Sequence, residues 1–250
     1  MMLKISEIFY SIQGEGRQMG RPSVFVRVGM CNLTCKGFSE SVQYEGKKII
    51  GCDSIYAANK AFSKEWIVFE DSKKLISEIE QKGNGNFDIV LTGGEPSLYF
   101  GNKVLLETLK YFIKRHHHIY VESNGSVFFD FNEILKSLHF TLGVKLSNTL
   151  DLKEKRINIK AIQNILDHAK SVYFKFVLNQ EMCKDGSGIA EINEILAQVS
   201  GSYEVYLMPQ GSDIETLNRN IKFLLPLCLE NNFYLSDRLH IRIWGNKRGV

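Results

Sequence analysis

The chain has 250 residues, which is long for one domain and short for two, and single α/β barrels reach this length. Its composition, 44% apolar and 24% charged, is usual for a globular protein with a full core, and the net charge of +3 is too small to indicate nucleic-acid binding by itself. No apolar run is long enough to cross a bilayer and the N-terminus does not resemble a signal peptide, so we expect a cytoplasmic protein.

The hydrophobic pattern predicts strands that alternate with helices. The predicted strands cover residues 22–30, 87–94, 118–125, 140–147, 171–178 and 203–209. The predicted helices cover residues 72–83, 103–116, 128–138, 159–170, 189–200 and 215–232. No repeat and no Pro- or Ser-rich linker divides the chain, so we expect one domain over residues 1–250.

Strands that alternate with helices of this length are typical of βαβ units and a parallel sheet. Six such strands are fewer than the eight of a full TIM barrel. The sequence therefore predicts an α/β fold of about six mostly parallel strands, either a partial (β/α) barrel or an open sheet. In both architectures the site lies at the C-terminal ends of the strands. Polar segments follow four of the strands there: "TGGEP", "ESNG", "VKLS" and "MPQG".

Three of the five cysteines fall within 22 residues: Cys31 and Cys35 in "CNLTC", and Cys52 in "GCDS". Cysteines are kept reduced in the cytoplasm, so a cluster of them indicates a metal site or catalysis. Thiolates suit zinc or iron–sulfur clusters, and a structural zinc site normally needs four ligands. Three grouped cysteines without a nearby histidine fit a cluster with one iron left free. The alternatives are three unrelated small apolar residues, or Cys52 as a core residue.

Residues 36–51 separate Cys35 from Cys52. Polar and apolar residues alternate on either side of Glu45-Gly46. This pattern predicts a small β-hairpin that returns Cys52 towards Cys35. Lengthening a loop from about three to about seventeen residues costs only about 1.5 kcal/mol of closure entropy. The insertion is therefore compatible with one site. We expect Cys183 and Cys228, which stand apart, to be bystanders.

The cysteines and "TGGEP" together resemble the radical SAM enzymes, in which three cysteines follow the first strand of a partial (β/α) barrel and hold a 4Fe-4S cluster. The fourth iron of that cluster binds S-adenosylmethionine (SAM). The usual C-x-x-x-C-x-x-C spacing is interrupted here by the insertion. The resemblance implies cluster ligands at Cys31, Cys35 and Cys52. It also implies SAM contacts at Asp53, Gly93, Gly94, Glu95, Glu122, Ser123 and Lys145.

Five motifs together, "SIQGEG", "VFVR", "CDS", "TGGEP" and "WGNKRGV", resemble the 7-carboxy-7-deazaguanine synthase family of radical SAM enzymes. The resemblance implies Mg²⁺ at Ser54. It also implies contacts to the substrate, 6-carboxy-5,6,7,8-tetrahydropterin, from Ile12, Gln13, Gly14, Glu15, Arg27, Thr92, His240 and Val250. Among these, the guanidinium of Arg27 suits a carboxylate.

The implied reaction is a ring contraction to 7-carboxy-7-deazaguanine with loss of ammonia, in queuosine and deazapurine biosynthesis, a tRNA modification pathway. A homodimer and a flavodoxin- or ferredoxin-type electron donor are expected from the same resemblance, with no nucleic acid or membrane as partner. Two alternative functions remain. One is an activating enzyme for a glycyl-radical enzyme, against which the terminal motifs argue, and the other is a zinc-binding module without catalytic activity.

Overall fold

The computed structural model describes residues 1–250 and has a mixed α/β fold built on a nine-stranded sheet and a two-stranded hairpin. The strands are β1 Leu3–Ile12, β2 Pro22–Val28, β3 Glu40–Tyr44, β4 Lys47–Gly51, β5 Ile67–Phe69, β6 Asp88–Gly93, β7 Ile119–Ser123, β8 His139–Leu142, β9 Ser171–Leu178, β10 Glu204–Pro209 and β11 Tyr234–Leu235. The helices are α1 Ile55–Ala58, α2 Ser72–Lys82, α3 Lys103–Lys114, α4 Lys153–Arg156, α5 Ile159–His168, α6 Gln180–Lys184, α7 Ser187–Leu196, α8 Ile214–Asn231 and α9 Leu239–Trp244.

The six predicted strands are confirmed as β2, β6, β7, β8, β9 and β10, which are parallel neighbours in that order. The sheet order is β11-β10-β9-β8-β7-β6-β2-β1-β5. The predicted partial (β/α) barrel is thus the observed architecture, extended by three strands that the pattern did not indicate. Of these, β1 and β5 are antiparallel and β11 is a short parallel edge strand.

Alternate residues of the parallel strands face the hydrophobic core and the cavity in turn. On β9, Phe174 and Phe176 are fully buried in the main hydrophobic core against the helices, whereas Lys175 and Val177 line a cavity on the opposite face. Successive strand residues point to opposite sides of a sheet, so one strand supplies both surfaces. No helix is long and apolar enough to span a membrane.

The prediction of a helix over 128–138 is wrong: only a short 3₁₀ turn forms there, at Leu135–Ser137. Phe129 packs instead against Phe100 and Phe131, with ring centroids 4.6 and 4.9 Å apart. The side chain of Asn132 accepts backbone N–H bonds from the two residues that open the turn. Aromatic residues and asparagine are weak helix formers, and here tertiary contacts decide their conformation.

The predicted hairpin is confirmed, since β3 and β4 pair antiparallel with Glu40 opposite Gly51. Glu45 and Gly46 both have positive φ, at 46° and 75°, as a tight hairpin turn requires. The hairpin packs on a second, smaller core around Trp66 and Phe62. Cys52 follows β4 directly, so the returning strand delivers this thiol to the site.

Candidate active site

A cavity of about 530 Å³ opens at the C-terminal ends of the parallel strands. Every predicted site residue except Glu95 lines this cavity: Ile12, Gln13, Gly14, Glu15, Arg27, Cys31, Cys35, Cys52, Asp53, Ser54, Thr92, Gly93, Gly94, Glu122, Ser123, Lys145, His240 and Val250. Residues from both ends of the chain and from most strands of the sheet therefore meet around one space.

Cys31, Cys35 and Cys52 lie together on the cavity wall, and all five cysteines are free thiols. Burial raises the pKa of Cys31 to about 12 and that of Cys52 to about 11, and it also raises the pKa of Cys35. The ammonium of Lys145 opposes this shift at all three. Buried thiols facing a cation suit a ligand that stabilises thiolates, as metal ions do.

The donor set fits an iron–sulfur cluster. The three thiols are close enough that Cys52 raises the pKa of both Cys31 and Cys35, and Cys31 raises that of Cys35. In a 4Fe-4S cluster each thiolate binds a different iron, so the three sulfurs surround a space several ångströms wide. The grouping of Cys31, Cys35 and Cys52 around the cavity is consistent with that arrangement.

Backbone packing at the end of β6 requires glycine at positions 93 and 94. Gly93 has a φ of +114°, and a Cβ at Gly94 would lie 1.9 Å from the carbonyl oxygen of Met30. The N–H of Gly94 donates to the carbonyl of Val28 over 2.9 Å. The end of β6 is thus pressed against the backbone that leads into Cys31, a contact that no larger residue would permit.

Glu95, which the resemblance implies as a SAM contact, lies behind the cavity wall and supports its neighbours. Its side chain is fully buried and does not line the cavity. One oxygen accepts bonds from Ser97 and from the Ser123 hydroxyl, and the other accepts the N–H of Asn124 over 2.8 Å. Glu95 therefore positions the "ESNG" segment, from which Glu122, Ser123 and Asn124 reach the cavity.

Glu122 joins two of the predicted substrate residues. Gln13 Nε2 donates to Glu122 Oε1 over 3.2 Å, and Thr92 Oγ1 donates to Glu122 Oε2 over 2.8 Å. The N–H of Glu15 donates to Gln13 Oε1 over 3.1 Å. Glu122, predicted to contact SAM, thus also orders the other predicted subsite.

Glu15 is held by two cations that the sequence analysis missed. Its carboxylate pairs with Lys175 and, over 3.0 Å, with Arg238. Burial alone would raise the pKa of Glu15, but these two positive charges lower it far below its usual range. In turn, the Glu15 carboxylate helps to raise the pKa values of Lys175 and Arg238, although burial opposes this. The group is therefore a fixed anion within the cavity. Lys175 had a detectable signal, because it is the one charge inside the apolar strand "SVYFKFVL".

Arg27 extends to the other side of the cavity. Its guanidinium donates to Glu7 and to the hydroxyl of Ser54, both over 3.0 Å. Neighbouring Asp53 pairs with Arg238. A guanidinium bound to Ser54 repels a cation, so Mg²⁺ does not fit this residue while Arg27 occupies it.

The C-terminal segment closes the cavity. The N–H of Leu239, at the start of α9, donates to the carbonyl of Gly14 over 2.8 Å, and a Cβ on Gly14 would lie 2.2 Å from His240. Burial lowers the pKa of His240, so its ring is neutral at pH 7. Beyond α9, the guanidinium of Arg248 lies 3.4 Å from the centre of the Tyr56 ring, and Val250 lines the cavity.

Comparisons with known proteins agree with this site. A family model described as a 4Fe-4S single cluster domain matches residues 12–166. A 7-carboxy-7-deazaguanine synthase of Clostridium acetobutylicum is 31% identical over 100% of both chains. One of Rhodopirellula baltica is 30% identical over 99% of this chain and 89% of the relative.

The fold is similar to that in the crystal structure of QueE from Escherichia coli, with a TM-score of 0.68 and 20% identity, covering 96% of this chain and 95% of that one. The full-length identity to the two synthases, the cluster-domain match and the three cavity cysteines agree with one another. The chain therefore belongs to the 7-carboxy-7-deazaguanine synthase family of radical SAM enzymes.

Proposed function

We propose that this chain contracts the ring of 6-carboxy-5,6,7,8-tetrahydropterin to give 7-carboxy-7-deazaguanine and ammonia, in the biosynthesis of queuosine and other deazapurines. The observation that carries the proposal is the convergence of the "SIQGEG" turn, the three cysteines and the C-terminal segment on one cavity. Family membership supplies the reaction. The cavity supplies groups of the kind that the reaction needs.

Cys31, Cys35 and Cys52 would hold the 4Fe-4S cluster. The SAM site would be formed on the cavity wall by Asp53, Gly93, Gly94, Glu122, Ser123 and Lys145, with Glu95 behind them. When bound, the cluster and SAM together supply the one-electron chemistry that removes a hydrogen atom from a carbon of the substrate. The chain itself contributes position and exclusion of water. The buried thiols and the small glycine turn would keep the two cofactors at one end of the cavity.

The substrate would occupy the space between Arg27 and Glu15. Burial alone would lower the pKa of Arg27, but Tyr56, Glu7, Asp53 and Glu122 together raise it, so Arg27 carries a positive charge and its fork can take the substrate carboxylate. Glu15 stays ionised between Lys175 and Arg238, so it accepts hydrogen bonds from ring N–H groups without rearrangement. Gln13, held by Glu122, would bind the adjacent edge of the heterocycle.

The loss of ammonia also requires proton transfer, for which the cavity offers a carboxylate. Loss of ammonia removes a proton from ring carbon and adds one to the departing amine. Glu122 lies on the cavity wall, 3.9 Å from the Lys175 ammonium, so the cavity holds a carboxylate that can accept a proton. Thr92 donates to Glu122 and keeps it oriented in the cavity.

The remaining parts of the proposal come from the family resemblance. They are one radical SAM domain over residues 1–250, a 36–51 insertion in the cluster-binding loop, a homodimer, a flavodoxin- or ferredoxin-type electron donor, and a cytoplasmic location. Mg²⁺ at Ser54 belongs to this group. It requires Arg27 to leave Ser54, which a bound substrate carboxylate would favour by drawing the guanidinium to itself.

Two other functions are not favoured. A glycyl-radical activating enzyme would not require a closing C-terminal segment with the "WGNKRGV" motif, and the full-length relatives are synthases. A zinc module without catalytic activity gives no role to the charged cavity beside the cysteines.

The test is turnover. The anaerobically reconstituted chain, incubated with SAM, a reductant, Mg²⁺ and the carboxypterin, should form 7-carboxy-7-deazaguanine detectable by mass spectrometry. Arg27→Gln should form little product. Arg115→Gln, which removes an exposed arginine at the C-terminal end of α3, should form as much as the wild type. Reconstituted protein that cleaves SAM but leaves the carboxypterin unchanged would refute the assignment of substrate.

A further inference from the structure

The cluster-binding loop, residues 30–38, has a strained backbone at two places. Met30 has a φ of 86° and Cys35 a φ of 46°, both in the left-handed region that residues other than glycine rarely adopt. Such conformations cost about 1–3 kcal/mol each and persist only where neighbouring groups hold them. The contacts that hold this loop therefore determine where its thiols point.

The first half of the loop is held by α1. The N–H of Met30 donates to the carbonyl of Ala57 over 2.7 Å, and the N–H of Cys31 donates to the carbonyl of Ala58 over 3.2 Å. These bonds come from the segment that directly follows Cys52. They anchor Cys31 but do not reach Cys35.

The second half of the loop is held by one carboxylate. Asp151 Oδ1 accepts the N–H of Thr34 over 3.0 Å and its hydroxyl over 2.9 Å, while Oδ2 accepts the N–H of Cys35 over 2.7 Å. Three hydrogen bonds to an ionised acceptor are stronger than three between neutral groups. They come from the loop after β8, more than a hundred residues away in the chain.

Asp151 is itself held in place. Arg156, which is buried, donates from Nε to the carbonyl of Asp151 over 3.2 Å and from Nη1 to the carbonyl of Lys145 over 2.8 Å. Arg156 also pairs with Glu191 on α7. One arginine therefore fixes both the residue that grips Cys35 and the lysine that faces the three thiols.

The two loops approach each other too closely for any side chain to intervene. A Cβ on Gly37 would lie 2.0 Å from the carbonyl oxygen of Asn148. The post-β8 loop is thus packed against the cluster-binding loop by its backbone, and Asp151 is the charged contact across that boundary.

We propose that Asp151 is a positioning residue for the iron–sulfur cluster: its carboxylate holds Cys35 in the left-handed conformation in which the thiol faces Cys31 and Cys52. The inference rests on the proposed function in that these three cysteines hold the cluster. The proposal predicts that the cluster is retained only if Asp151, in the β8–α4 connection, is present in addition to the three cysteine ligands.

Hydrogen exchange of the full-length, metal-free chain tests the contact without the cluster. In Asp151→Ala the amides of Thr34 and Cys35 should exchange at least about tenfold faster, which corresponds to about 1.4 kcal/mol of lost protection. The amides of Met30 and Cys31 are the internal control and should not change, because their acceptors belong to α1. Unchanged exchange at Thr34 and Cys35 would overturn the proposal.

Retention of iron tests the consequence. The reconstituted Asp151→Ala protein should lose its 400-nm cluster absorbance to a chelator at least about fivefold faster than the wild type, corresponding to about 1 kcal/mol. Asp151→Asn keeps one carbonyl acceptor, so its rate of cluster loss should fall between those of the wild type and Asp151→Ala. Asp130→Ala, which removes an exposed carboxylate, is the matched control and should behave as the wild type.

These outcomes separate the two proposals. A wild-type chain that assembles no cluster refutes the proposed function, while the exchange experiment still decides whether Asp151 holds the loop. A wild-type chain that holds a cluster, with Asp151→Ala losing it at the wild-type rate, refutes the role of Asp151 and leaves the proposed function intact.

Discussion

Replacing Lys175 by methionine tests the charge network that holds Glu15. The Lys175 side chain is 9% exposed and pairs with Glu15, whose side chain is 13% exposed. Removing one partner of a buried ion pair costs about 3–5 kcal/mol, because the remaining charge loses its counterion away from water. Glu15 keeps Arg238 at 3.0 Å, so we expect the lower end of this range. A loss of about 3 kcal/mol raises the unfolding equilibrium constant by more than about 100-fold.

The assay is urea unfolding of the metal-free chain at pH 7. Lys110→Met, at an exposed position on α3, is the control and should change the free energy of unfolding by less than about 0.5 kcal/mol. The double variant Glu15→Gln/Lys175→Met should regain part of the loss, since the side chain that lost Lys175 is then neutral. A Lys175→Met protein within about 1 kcal/mol of the wild type would refute the reasoning, because the pair would then not be desolvated.

Three further predictions concern other parts of the molecule. Burial lowers the pKa of His139 from 6.5 to about 4, and its Nε2 is buried without a partner. The proton therefore binds the unfolded chain more tightly, so stability should fall as pH drops from about 6.5 towards 4. In urea unfolding at pH 7 and pH 5, His139→Gln should reduce this difference, and an unchanged difference would contradict the assignment. Glu95→Gln leaves one oxygen for the backbone N–H groups of Ser97 and Asn124, so one of them faces a donor, which should cost about 1–3 kcal/mol by the same method; a neutral effect would show that Glu95 does not order this segment. Arg248→Ala removes the cation over Tyr56, worth about 0.5–1 kcal/mol, and should raise KM for the carboxypterin about two- to fivefold with little change in kcat, whereas an unchanged KM would separate this contact from closure of the cavity.

The central sheet could be predicted from the sequence because its signal is local. Short apolar runs closed by glycine or polar turns, each followed by a helical pattern, mark β6 to β10 without knowledge of their partners. The polar ends of these strands also predicted where the cavity would open. The hairpin was predictable for the same reason, since Glu45-Gly46 supplies its turn.

The parts that were missed depend on distant contacts. β1 pairs with β2 across a nine-residue connection instead of a tight turn, so nothing local marks the pairing. The sequence of α9, "LHIRIW", has three strand-favouring residues, two isoleucines and a tryptophan, but it is helical where it docks on Gly14. Its preceding residue, Arg238, reaches Glu15 only because the two ends of the chain meet.

The site shows the same division. The site residues that the family resemblance implies all line the cavity except Glu95. The motif singles out Glu95, but only the folded chain shows that its buried carboxylate supports Ser123 and Asn124. Asp151 has no motif at all, and only the folded chain brings it to Cys35.

The most direct test of the account is the iron content of matched cysteine variants. After anaerobic reconstitution the wild type should bind about four irons per chain and absorb near 400 nm. Cys52→Ala should lose the cluster as fully as Cys31→Ala, although a hairpin separates Cys52 from the other ligands, and Cys183→Ala should retain it. Retention of the cluster in Cys52→Ala, or its loss in Cys183→Ala, would contradict the claim that the three cavity cysteines form one cluster site.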